Sequence, residues 1–155
     1  KELEDYGTPC VAVRGGGGFH DPRTAAANRK SIEKAVDVAS WLGADIVNTW
    51  SGIGDPVSQS SSRLATEDDF ERTARVLHEV GEMAGDKGLN ITLEVHQNSI
   101  TDNSWSTLHM LDLADSPYVF ANPDLGNIYW NYDVPEETME EAIVALAPQS
   151  VPLVQ

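Results

Sequence analysis

The chain reads as a parallel α/β protein made of repeated strand–helix units, and three observations say so. Short apolar and β-branched runs alternate with amphipathic stretches of helical period. The segments that follow strands are long and polar, over Gly15–Arg23, Ser51–Ala65, Gln97–Asn103 and Asp124–Val134, while those that follow helices are only a few residues. The 155 residues, 41% hydrophobic and 23% charged, suffice for one ordinary core and not for two large domains. Such alternation demands a parallel sheet covered by helices.

The first strand is Cys10–Val13, led in by a turn at Gly7-Thr8-Pro9. A helix follows over Thr24–Leu42, with Ile32, Ala35, Val36, Ala39 and Leu42 on one face and Gly43 as its stop. Asp45–Trp50 is the second strand. The next helix opens at Thr66, where Asp69 three residues on makes an approximate capping box. Phe70, Ala74, Leu77, Gly81 and Ala84 form its buried stripe, and Gly88 breaks it. The third strand is Asn90–His96, followed by a helix over Ser104–Ala114 with Leu108 and Leu111 inward, and Pro117 ends that helix. The fourth strand runs over Tyr118–Asn122. Pro135 marks the first turn of a last helix, whose apolar face is Met139, Ala142, Ile143 and Leu146. Beyond Pro148 another apolar run begins, Val151–Gln155.

Four strand–helix units and the start of a fifth strand are half of an eight-unit barrel, which takes roughly 250 residues. The expectation is a single partial (β/α)8-barrel domain over residues 1–155, truncated at both ends. A doubly wound sheet of five strands is the alternative. A half barrel leaves two strand edges open, so self-association into a homo-oligomer is an expected partner relation.

Charge narrows the partners. Twenty-five acidic against 10 basic residues leave a formal charge of −15, which repels nucleic acid and anionic membrane surfaces. Lysine is scarce (Lys1, Lys30, Lys34 and Lys87), the balance of a protein kept soluble in concentrated salt, although net charge also serves ordinary solubility. No apolar run of eighteen residues exists to span a bilayer, and no signal peptide is visible, so a cytoplasmic location is expected. One cysteine, Cys10, excludes an internal disulfide framework and is read as buried and inert.

The third strand carries the chemistry. Apolar residues occupy one parity of Ile91-Thr92-Leu93-Glu94-Val95-His96, and Thr92, Glu94 and His96 the other. A strand covered on both faces is apolar throughout, so a polar file needs a reason. In a barrel that file faces the axis, where a carboxylate must meet a cation, a metal or a proton; at a sheet edge it would simply face water. Asp124 stands just past the fourth strand. If consecutive strands are neighbours, Glu94 and Asp124 share one rim. Oxygen ligands of this kind favour magnesium or manganese over zinc or cobalt, whereas a bare Asp-Leu-Gly-Asn is also an ordinary turn.

Three segments resemble one family. Leu42-Gly43-Ala44-Asp45-Ile46-Val47-Asn48-Thr49-Trp50-Ser51-Gly52, then Thr92-Leu93-Glu94-Val95-His96-Gln97-Asn98, then Asn122-Pro123-Asp124-Leu125-Gly126-Asn127 are similar, in order and approximate spacing, to the xylose isomerase-like sugar phosphate isomerases and epimerases. The resemblance places the chain at strands three to six of the barrel and the start of seven. It implies that Glu94 and Asp124 bind a divalent metal and that Glu94 doubles as the acid/base group. The remaining ligands, a His and a Glu, belong to strands seven and eight. It also implies that His96 faces substrate. Many members have a His three residues after the strand-six Asp; Asn127 stands there instead. That departure argues against the apurinic-site endonucleases of the superfamily, which use that His on zinc.

The implied activity is isomerisation or epimerisation of a sugar or sugar phosphate through an enediolate, whose charge a cation stabilises while a carboxylate moves the proton. An inosose-type dehydratase on the same fold and a non-catalytic α/β binding module compete with it. Further substrate contacts are His20, behind Gly15-Gly16-Gly17-Gly18, and Trp50, which can stack on a sugar face or fill a core. The glycine run lacks the lysine and hydroxyl of a P-loop. His78 and His109 lie on helices and are read as solvent-facing, and no nucleophile elbow surrounds the serines.

Overall fold

The structure, a computed structural model, describes residues 5–52, 61–130 and 136–151. Four strands, β1 (Ala12–Arg14), β2 (Ile46–Trp50), β3 (Asn90–Glu94) and β4 (Val119–Asn122), form one sheet in the order β1-β2-β3-β4. Every pairing is parallel. Between the strands run α1 (Ala25–Leu42), α2 (Glu67–Gly85) and α3 (Ser104–Ala114). A short helix α4 (Leu125–Trp130) and α5 (Met139–Leu146) follow β4.

Sequential order without reversal separates this sheet from the doubly wound alternative, which needs a switch point and helices on both faces. Strand parity agrees. Val47, Ile91, Leu93 and Val119 are buried in one cluster with Ile32, Val36 and Ala39 of α1, Phe70, Leu77 and Val80 of α2, and Met110 of α3. A smaller cluster joins Val95 and Ala121 to Ile128 of α4 and to Ala142 and Leu146 of α5. The opposite parity, Asn48, Trp50, Glu94 and Asn122, is only half-buried. One face of the sheet is therefore sealed by helices and the other stays open, the arrangement of a barrel wall about to close on its own axis.

Local chemistry sets the helix ends. Thr66 and Asp69 form a reciprocal capping box, with Thr66 N–H donating to Asp69 Oδ2 at 2.9 Å. Asn103 and Ser106 do the same for α3, and Thr138 and Glu141 for α5. Gly43 ends α1 at φ +71.

Several expectations are corrected. The first strand lies at Ala12–Arg14, because its pairing Arg14↔Asn48 sets its end; Cys10 is half-buried outside it. The third strand ends at Glu94, since the chain turns into the loop held by His96 N–H on the Thr101 carbonyl at 3.3 Å. The segment after Asp124, expected as loop, begins with α4. Leu42, Met139 and Ile143 are more than a third exposed, not buried. His109 is stacked on Trp105 at 5.6 Å between centroids, so its ring is not simply solvated, whereas His78 is exposed as expected, with Nδ1 donating to the Ala114 carbonyl at 2.8 Å. Residues 152–155, where most of the fifth strand was expected, and Pro135 lie outside the described residues; Ser150 makes a parallel bridge to Ala121. No helix among the described residues is long and apolar enough to cross a membrane.

Candidate active site

The open face of the sheet carries a connected polar network. β2 is Ile-Val-Asn-Thr-Trp, and its period of two turns Asn48 onto the same face as Thr92 and Glu94 of β3 and Asn122 of β4. Asn48 ties the three strands together. Its Nδ2 donates to Glu94 Oε2 at 3.1 Å, while its Oδ1 accepts from Thr92 Oγ1 at 2.9 Å and from Asn122 Nδ2 at 3.2 Å. Arg14, from the end of β1, places Nη1 3.2 Å from the same Glu94 oxygen. Glu94 is thus fixed through Oε2, and Oε1 has no partner among the described residues. A hollow of about 450 Å³ opens beside the network, lined by Ala12, Ile46, Asn48, Thr92 and Asn122.

Trp50 closes the upper edge. Its ring meets the His96 imidazole edge-on, 4.7 Å between centroids at 68°, and Arg14 Cζ lies 5.7 Å from its centroid. Two glycines let loops press against the indole. A Cβ on Gly17, at φ +127, would come 2.5 Å from Trp50 Nε1, and one on Gly52 would sit 2.5 Å from the ring. His96 Nδ1 is within hydrogen-bond reach of the Gln97 carbonyl, an acceptor only, so Nδ1 carries the proton and Nε2 is the available nitrogen.

Asp124 and Asn127 pair in the first turn of α4. Asp124 Oδ1 accepts the Asn127 N–H at 3.0 Å, and Asn127 Nδ2 donates to the Val95 carbonyl at 3.4 Å, clipping α4 to the loop after β3. The capping role and a ligand role are compatible, because one oxygen of Asp124 serves the turn. Asp124 lies two residues beyond Asn122, the register partner of Glu94, so both carboxylates belong to the same end of adjacent strands.

His20 stands apart from these groups. Its carbonyl accepts Arg72 Nε at 3.2 Å, and its buried Nδ1 has no hydrogen-bond partner among the described residues. Burial lowers its pKa below 6.5 against the opposing pull of Asp69 and Asp21, with Arg72 adding to the lowering. Asp21 beside it is held at about 2 by the bidentate Arg23 guanidinium. A histidine whose folded pKa is depressed favours the folded state fully above 6.5, and that contribution is lost as pH falls through the folded pKa. His20→Gln is expected to flatten the decline of melting temperature below pH 6.5. An unchanged slope in thermal melts would count against this account.

Glu94, Trp50 and His96 are thus gathered around Arg14 and Asn48; Asp124 and Asn127 follow the adjacent strand β4, at the start of α4, and His20 stands apart against Arg72 of α2. Sequence reasoning passed over Arg14, Asn48 and Asn122. Asn48 was accessible to the argument used on Glu94, as a polar residue on one parity of a β-branched strand. As a cation site, the two carboxylates fit in chemistry as hard oxygen donors, and Glu94 can also act as a base only where the cation leaves one of its oxygens free. They fit as part of a set: no group of three or more His, Cys, Asp or Glu residues able to hold a metal occurs among the described residues.

A protein-family model described as xylose isomerase-like TIM barrel matches residues 1–154. No curated protein matches the chain significantly. Among solved structures, a xylose isomerase-like TIM barrel protein from Mycobacterium smegmatis in complex with magnesium is 20% identical, with a TM-score of 0.79 over 96% of this chain and 51% of its own. An L-ribulose 3-epimerase is 20% identical at a TM-score of 0.78, covering 96% and 50%. The probable 3-DHS dehydratase of Bacillus anthracis is 17% identical at 0.72, covering 96% and 50%. The chain spans about half the length of each.

Proposed function

Because the chain belongs to the xylose isomerase-like TIM barrel family, we propose that it supplies strands three to six of a (β/α)8 barrel that isomerises or epimerises a sugar or sugar phosphate with a divalent metal. The observation that carries this reading is Glu94, fixed through one oxygen by Asn48 and Arg14 with the other left for chemistry. The family resemblance of the Asp124 segment and the likeness to an epimerase fold support it.

In this reading Glu94 and Asp124 hold the cation, manganese or magnesium, together with ligands from the rest of the barrel. The cation, when bound, offsets the negative charge that develops on the two substrate oxygens. Glu94 takes the proton from the carbon next to the carbonyl and returns it to the neighbouring carbon in isomerisation. In epimerisation, a second base on the opposite face completes the exchange. Trp50 offers an apolar face for the sugar ring, His96 an Nε2 for a hydroxyl, and Asn127 a further polar contact, while His20, held against α2, stays outside this set. Dehydration of a cyclic polyol begins with the same proton abstraction, and the likeness to a dehydratase fold makes it the second reading.

The test is solvent exchange. The complete protein, loaded with manganese and given a panel of ketoses and ketose phosphates in deuterated water, is expected to place deuterium next to the carbonyl. Chelation should stop the exchange and added manganese restore it. Water loss from inosose without exchange on ketoses would select the dehydratase. Tight manganese binding with no reaction on any of these compounds would sink both.

A further inference from the structure

The parallel ladder of β2 and β3 ends at Trp50↔Glu94, and beyond it the chain joins the two strands differently. The loop after β3 folds back onto the end of β2. Gly52 pairs with Ser99 in an antiparallel bridge, and Ile100 N–H donates to the Ser51 carbonyl at 3.3 Å. Hydroxyls fill the centre of this contact. Ser51 Oγ and Thr101 Oγ1 share a hydrogen bond, and Ser99 Oγ lies 3.4 Å from Thr101 Oγ1 while accepting the Thr101 N–H at 3.1 Å. Ser51, Ser99 and Thr101 are each 0% exposed. Further strands of a barrel can only add cover, so this enclosure does not depend on the rest of the protein.

The bond from Ser99 to the Thr101 N–H is an ordinary local turn. The Ser51–Thr101 bond is not, because it joins two side chains 50 positions apart and satisfies no backbone group. A buried hydroxyl pair adds little stability over an apolar pair of the same shape, since both groups give up water. What it adds is a fixed direction. The groups it directs are those of the Trp50–His96 contact. Ser51 follows Trp50 in the chain, and the Thr101 carbonyl accepts the His96 N–H at 3.3 Å. Gly52, bridged to Ser99, backs the indole so closely that a Cβ there would stand 2.5 Å from the ring. A closed circuit results, from Trp50 through Ser51, Thr101 and His96 and back across the ring contact of 4.7 Å. Glu94 is held separately, by Asn48 and Arg14. We infer that Thr101 is a positioning residue, which through Ser51 sets the His96 imidazole against the Trp50 indole and so fixes where Nε2 meets a ligand hydroxyl. That the ligand is a sugar rests on the isomerase reading; the positioning does not.

Nuclear magnetic resonance of the complete protein tests this. The ring current of Trp50 should displace the His96 ring protons, and loss of the displacement in Trp50→Leu identifies the signal. Thr101→Val, which keeps the shape and removes the hydroxyl, should lose the displacement. Thr101→Ser, which keeps the hydroxyl, should retain it. Ser51→Ala removes the other half of the pair and leaves Thr101 its contact with Ser99, so it gives the same reading should the valine variant not fold. A folded Thr101→Val or Ser51→Ala protein with the wild-type His96 signal overturns the inference. So does a serine variant that behaves like the valine one, or a wild-type signal indifferent to Trp50→Leu. Kinetics on a ketose that exchanges solvent deuterium give a second arm. KM should rise roughly 2–10-fold in Thr101→Val, the worth of one hydrogen bond, with kcat unchanged because Glu94 keeps its own partners. A fall in kcat at unchanged KM overturns the inference. If no ketose exchanges, the isomerase reading fails, and the His96 signal still decides the role of Thr101.

Discussion

Glu94→Gln in the complete protein is expected to lower turnover by roughly 10²–10⁴-fold, the range for a positioned acid/base group. Joined to Asp124→Asn, it should abolish manganese binding. Both replacements preserve shape. The amide oxygen introduced by Glu94→Gln still accepts from Asn48 Nδ2, and the one introduced by Asp124→Asn still accepts the Asn127 N–H that caps α4. What disappears is negative charge at two points on one rim. Folding is therefore a usable control, and the melting temperature of the double variant should stay near that of the wild type. Manganese titration decides the matter. Undiminished affinity in a folded double variant would remove both carboxylates from the metal site and, with them, the assigned activity.

The parts of the fold legible in the sequence are those fixed by neighbours along the chain. The buried stripe of α2 was readable because Phe70, Ala74, Leu77, Gly81 and Ala84 recur at helical spacing behind the Thr66–Asp69 box. Gly43 ends α1 by a local requirement for positive φ. The first strand was misplaced because its end is set by pairing with Asn48, a residue distant along the chain, and nothing in Cys10–Arg14 encodes that register. α4 was hidden by its own residues. Asn122-Pro123-Asp124 and Gly126-Asn127 are turn formers, yet here Asp124 acts as a cap and the turn continues into a helix that Ile128 anchors in the core.

The site divides in the same way. Glu94 stood out because period-two alternation marks a charged residue on an open face, and that needs only the strand itself. Arg14 was invisible while the first strand was taken to stop at Val13, since a residue in a loop has no assigned face. The environment of His20 depends on α2 packing over its loop through Arg72, a contact made across 52 positions. The distinction between a free histidine and one enclosed by Asp69, Asp21 and Arg72 is tertiary.

Asn48→Ala is expected to weaken manganese binding by roughly 10–100-fold, the usual penalty for removing a group that orients a metal ligand. The reason is its position as the hub. Loss of the amide strands three partners at once: Glu94 Oε2, Thr92 Oγ1 and Asn122 Nδ2. Of these, Thr92 is buried, so its hydroxyl loses a partner that water replaces poorly, at about 1–3 kcal/mol. Glu94 and Asn122 are half-buried and can recover water, which keeps the stability loss near the cost of Thr92 alone. Binding suffers more than folding, because Glu94 then has only Arg14 to hold it. Asn48→Asp separates geometry from space. It restores the volume and can still accept from Thr92, but it presents a carboxylate to Glu94 where a donor stood, so Glu94 is pushed out of place. If orientation by the Asn48 donor matters, the aspartate variant must bind manganese no better than the alanine variant unless the new carboxylate becomes a ligand itself, which a rise above wild-type affinity would reveal. Wild-type affinity in Asn48→Ala would mean that Arg14 and the strand alone fix Glu94, and the three-strand network would then serve only the fold.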